Sequence, residues 1–312
     1  MANGSNGMQT VSPAKVLREI AEAMPGNCRD KVTVIGSLAA GYYFFKDQAE
    51  MEVRTKDADC LLSPRVEAIP SGIAITDQLM DAGWTYNPAS GCTGPGDAKT
   101  PDAKLPAVRL LPPGKTEWFI ELLTVPENSD TRGRRWLRIE TKHGHFGLPS
   151  FGFLSLANYE PISTELGIYI ARPEMMALAN LLEHPVIGTD VMSGGFAGLT
   201  GIKRSNKDIR RVLALARLAV ASNEDALLAW PAIWLAALKK HFPAAEWPEL
   251  ARRAGQGLRA LLASEPDLEQ ALHTCVNGLL TSNPPTLDIL RITGKRLLTD
   301  VIEPLEKEAE QE

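Results

Sequence analysis

Two stretches of the chain, Val34-Ile35-Gly36-Ser37 and Arg54-Thr55-Lys56-Asp57-Ala58-Asp59-Cys60-Leu61-Leu62, decide how the rest is read. Residues 31–35 are a β-branched run that stops at Gly36-Ser37, and residues 38–45 suit a helix, so the first stretch reads as strand, tight turn and helix. The second contains an apolar strand over residues 58–62. Side chains two apart on a strand share a face and stand about 6.6 Å apart along it. Asp57 and Asp59 therefore project together, while Ala58 and Cys60 face the other way. Two carboxylates so placed repel unless water screens them or a divalent cation lies between them, and hard oxygen ligands suit magnesium or manganese. The strand-to-helix junction at Gly36-Ser37 adds free backbone N–H groups and a helix N-terminus, which together can cradle a phosphate.

The surroundings fit one α+β layout. Ser12 and Pro13 open a helix over residues 12–23, with Val16, Leu17 and Ile20 on one face, and Pro25-Gly26 closes it. Helical spacing returns at residues 73–82, and residues 87–106, rich in Gly, Pro, Asp and Lys, read as an exposed loop. Residues 107–111 and 118–124 read as a hairpin joined by Pro112-Pro113-Gly114-Lys115. Its second strand, Trp118-Phe119-Ile120-Glu121-Leu122-Leu123, carries an acid that would be costly to bury unpaired. Further short strands are expected between residues 136 and 170.

After Arg172-Pro173 the pattern becomes helical, so the expected division is a mixed-sheet domain at 1–170 and an all-helical domain at 171–312. Helices are expected at 173–183, 206–222, 226–242, 247–262, 268–280 and 287–308, with a glycine-rich loop at 188–201.

Composition narrows the function classes. The 312 residues are 44% hydrophobic and 23% charged with a net charge of -5, which suits a globular protein and argues against binding along the length of a nucleic acid. No run of eighteen apolar residues and no basic-then-apolar leader occurs, so no membrane partner is expected. Cys28, Cys60, Cys92 and Cys275 stand singly and read as reduced thiols of a cytoplasmic protein. The GxxxxGK[ST], GxGxxG and GxSxG patterns are missing, which removes support for P-loop, Rossmann and serine-hydrolase readings.

Strand, Gly-Ser turn and helix, then Asp-x-Asp on a strand, then one more acid on a later strand: in this order the motifs resemble the nucleotidyltransferase superfamily that includes DNA polymerase beta and the CCA-adding enzymes. The Arg-Thr-Lys-Asp-Ala-Asp wording is most similar to the abortive-infection type of nucleotidyltransferase toxin, and Lys203-Arg204-Ser205-Asn206-Lys207-Asp208 resembles that group's later lysine-aspartate motif. The resemblance implies a fold of the polymerase-beta kind, and metal and catalytic roles for Asp57, Asp59 and Glu121 with two magnesium ions, manganese being the substitute. It implies nucleotide binding by Gly36, Ser37, Arg54, Thr55, Lys203 and Lys207. The implied reaction moves a nucleoside monophosphate from an NTP to a hydroxyl acceptor, such as a tRNA 3′ end or a protein, and an antitoxin is the implied partner. A catalytically silent binding module and a small-molecule, antibiotic-modifying transferase are the alternatives. Since 19 residues separate Ser37 from Asp57, a segment such as residues 46–52 is expected to loop out.

Two basic runs invite a polyanion. Arg132, Arg134, Arg135, Arg138 and Lys142 surround Trp136, and Lys203, Arg204, Lys207, Arg210 and Arg211 open a helix. His143 and His145 read as polar surface residues, and Trp230, Trp234 and Trp247 as packing.

Overall fold

The computed structural model describes residues 9–88, 92–127, 134–187 and 203–311. Arg132 and the glycine-rich stretch at 188–201 therefore lie outside the described residues. The first part of the chain runs β1 (Thr10–Val11), α1 (Pro13–Ala23), β2 (Val32–Ile35), α2 (Gly36–Phe45), β3 (Val53–Arg54), β4 (Asp57–Leu62) and α3 (Arg65–Asp81). It continues through β5 (Thr85–Tyr86), β6 (Arg109–Leu111), β7 (Phe119–Thr124), β8 (Arg134–Thr141), β9 (Gly144–Phe151), α4 (Leu154–Ala157), β10 (Ile162–Ser163) and β11 (Tyr169–Ile170).

Seven strands form one mixed sheet in the order β10-β11-β2-β4-β7-β6-β5. Its centre is β2 antiparallel to β4, with β4 parallel to β7. One face of these strands is apolar: Val32, Val34, Ala58, Cys60, Ile120 and Leu122 share it by register and are all buried. Helix α1 packs Leu17 and Ile20 into this core, as its spacing predicts. Residues 46–52 lie between α2 and β3 without a helix or strand of their own, as the long interval between Ser37 and Asp57 requires.

Among the described residues only helices follow Ile170: α5 (Pro173–Ile187), α6 (Arg204–Ser222), α7 (Trp230–His241), α8 (Trp247–Arg253), α9 (Gln256–Leu262), α10 (Glu265–Val276), α11 (Leu287–Leu297) and α12 (Glu303–Glu310). The protein is thus a mixed α/β structure with a helical C-terminal region. None of its described helices is long and apolar enough to cross a membrane. The helical region is tied to the sheet side by direct bonds. Arg54 donates its backbone N–H to Gly278 O at 3.1 Å and its guanidinium to Asn277 Oδ1 at 2.8 Å. Within the helical region, the buried Trp234 indole donates to Glu174 O at 2.9 Å.

Several elements depart from the expected spans, each for a local reason. Helix α3 begins at Arg65 rather than near residue 73, running through Pro70. The carbonyl that Pro70 cannot bond belongs to Val66, which is 82% exposed and open to water. Gly72 is used for space, since a Cβ there would stand 3.1 Å from Leu148 Cδ1 of the β8–β9 hairpin lying across the helix. The expected helix at 247–262 is broken at Gly255, where a Cβ would come within 2.6 Å of Ile302 Cγ2. The last helix is interrupted by a π turn at Leu298–Ile302, just before Pro304, which has no N–H to give. In the expected loop at 87–106, Gly96 pairs with His145, and Arg138 binds Asp102 at 2.8 Å.

Candidate functional site

Register brings the three acids of the sequence together on one sheet face. Asp59 on β4 is opposite Glu121 on the parallel neighbour β7, and opposite Ile35 on the antiparallel neighbour β2. Along β4, Asp57 and Asp59 are half-buried while Ala58 and Cys60 are buried, which is the alternation their spacing demands.

The strand-to-helix junction sits directly against this row. Helix α2 starts at Gly36 itself, earlier than the turn expected there, because Ile35 is still extended and Gly36 takes φ +77. An L-residue with a Cβ would be strained in that conformation, and the Cβ would stand 3.2 Å from Asp59 Oδ2. Glycine thus lets the helix N-terminus and a carboxylate approach each other. Ser37, next along, is half-buried at the same helix start.

The electrostatics follow from this crowding. Burial drives the Asp59 carboxyl well above the usual carboxylate range, and the charges of Asp57 and Glu121 push it further. Arg211 and Lys207 of α6 pull the other way. Lys207 is itself held below its ordinary value, by burial first and then by Arg211, with Asp57 opposing them. Thr55 positions the remaining acid, since its buried hydroxyl donates to Asp57 Oδ1 at 2.9 Å.

Glu121 has a partner that reading the sequence missed. Arg109 on β6 is in register with it and binds both its oxygens, Nε to Oε2 at 3.0 Å and the terminal nitrogen to Oε1 at 3.0 Å. Burial disfavours the Arg109 charge, but Glu121, with Asp57 and Asp59 beyond it, carries the guanidinium above its ordinary value. Among the described residues no group of three or more His, Cys, Asp or Glu side chains converges as a metal site. Asp57 and Asp59 alone still suit magnesium, which commonly takes one or two protein carboxylates and completes its shell with water and substrate phosphate.

The remaining candidates are engaged elsewhere. Arg54 is bound to Asn277. Lys203 gives its ammonium to both oxygens of Asp267 on α10, at 2.9 and 3.0 Å. In the first basic run, Arg138 is bound to Asp102 and Lys142 to Asp81, so both belong to ion pairs on the hairpin surface. His143 also contacts Asp81, at 3.0 Å. Trp230, Trp234 and Trp247 are buried as packing residues. Comparison of the chain with protein-family models, curated proteins and solved structures returned no match.

Proposed function

We propose that the protein is a magnesium-dependent nucleotidyltransferase that moves a nucleoside monophosphate from an NTP to a hydroxyl acceptor, with pyrophosphate as the leaving group. The observation that carries this reading is the close approach of the α2 N-terminus to Asp59, where a Cβ at Gly36 would stand 3.2 Å from Asp59 Oδ2, on the face that Asp59 shares with Asp57 and Glu121. A helix N-terminus, which suits a phosphate, beside paired carboxylates, which suit a divalent ion, supports transfer of a phosphoryl-linked group. Asp57 and Asp59 would hold the metal, which when bound supplies charge stabilisation to the entering and leaving oxygens.

The chain's own residues supply the rest. Backbone N–H groups at Gly36 and Ser37 hold phosphate oxygens, and Lys207 and Arg211 neutralise the triphosphate from the α6 side. Thr55 keeps Asp57 oriented. Glu121, once free of Arg109, would take the proton of the attacking hydroxyl. A tRNA 3′ end or a protein side chain is the acceptor class that goes with the resemblance to toxins, and an antitoxin its partner.

A second reading has its own observation: the bidentate hold of Arg109 on Glu121 favours a silent binding module of the same architecture. Incubation with magnesium and each α-labelled NTP, with and without cellular RNA, separates the two. Label on RNA or protein with the wild type, and its loss in the Asp57→Ala, Asp59→Ala double variant, is expected. Equal labelling by a folded double variant would overturn the assignment, and nucleotide binding without labelling would shift the reading to the module or to a transferase whose small-molecule acceptor the assay lacks.

A further inference from the structure

The Arg109–Glu121 pair ends a row that runs across four strands, Arg109 on β6, Glu121 on β7, Asp59 on β4 and Ile35 on β2. The two partners differ in access. The Glu121 side chain is 9% exposed and that of Arg109 27%, so the guanidinium covers the acid from the solvent side. Phe119, next to Asp57 in register, lies under it, with its ring centre 5.8 Å from the guanidinium carbon.

A carboxylate chelated by a fork of two N–H groups has spent its best-placed lone pairs, and a divalent ion brought against it meets a fixed positive charge. Lysine would leave a point charge there without the fork, and glutamine would leave neither.

Resting on the reading of Asp57 and Asp59 as magnesium ligands, we propose that Arg109 is the resident counter-ion of Glu121 and keeps a second divalent ion away from it. The free protein then holds one ion, at Asp57 and Asp59. Glu121 opens to another only when Arg109 is displaced, which makes Arg109 a positioning residue that sets metal stoichiometry.

The test is a manganese titration of the full chain, read from the paramagnetic resonance signal of unbound Mn2+. One ion per chain is expected for the wild type, two for Arg109→Gln, and one for Arg109→Lys. Two ions in the wild type, or one ion in a folded Arg109→Gln, would each overturn the proposal while leaving a metal site in place. No binding by the wild type would instead remove the metal reading, and this proposal with it.

Discussion

Replacing Asp59 by Asn isolates the electrostatic load of the site before any ligand is supplied. Asp57 and Asp59 are two residues apart on β4, about 6.6 Å along the strand. At an effective dielectric constant of about 20, that repulsion is roughly 2.5 kcal/mol. Lys207 and Arg211 return part of it, but the Asp59 carboxyl is still raised, so burial and the neighbouring acids outweigh the cations.

A neutral side chain of the same shape therefore removes a net cost of about 1–2 kcal/mol. For a chain of this size the metal-free variant should melt roughly 1.5–3 °C above wild type near pH 7. Linkage sets the pH window. Because the folded-state pKa lies above the unfolded one, the stability that the wild-type carboxyl contributes is complete below about pH 3.9 and is lost as pH rises through the raised value. The gap between variant and wild type should open over that interval and close in acid. Calorimetric melting in chelator, from about pH 4 to pH 8, reads both features. A variant that melts below wild type near neutral pH, or a gap that persists unchanged in acid, would refute the reasoning.

Two more substitutions probe the frame of the site. Gly36→Ala places a Cβ 3.2 Å from Asp59 Oδ2 at a φ of +77, and should cost about 1–3 kcal/mol in urea unfolding; wild-type stability would show that the helix start tolerates a side chain. Thr55→Val removes the donor to Asp57 Oδ1, so stability should fall by about 1 kcal/mol and the magnesium needed for half-maximal labelling should rise several-fold. Thr55→Ser should restore both, and an unchanged magnesium requirement in Thr55→Val would deny the hydroxyl its orienting role.

Much of the site's frame is legible one residue at a time. Asp57 and Asp59 share a face because strands alternate, and the run before Gly36 reads as a strand from its β-branched residues. Lys207 and Arg211 are four apart on a helix and so lie on one face, a signal available from spacing alone. Arg109 was not legible in this way. A turn confined to residues 112–115 would set Arg109 opposite Trp118, whereas the connection actually extends to Trp118 and sets Arg109 opposite Glu121. A register shift of this size changes which side chains meet, and short-range turn signals do not specify it. The start of α3 was hidden in a similar way, because Pro70 and Gly72 resemble a break until the hairpin that packs over Gly72 is known.

What the sequence determined by itself is the set of local periodicities: strand, glycine junction, helix, paired acids, and the change to helical pattern after Pro173. Those follow from backbone geometry and side-chain spacing, which act over a few residues. Tertiary structure alone decided that β7 lies parallel beside β4, so that Glu121 joins Asp59, and that Arg109 and the cations of α6 face the acids. It also decided that Lys203 and Arg54 are held by Asp267 and Asn277. These pairings join residues up to 223 positions apart. They are chosen by the burial of apolar faces over the whole molecule, which no local stretch encodes.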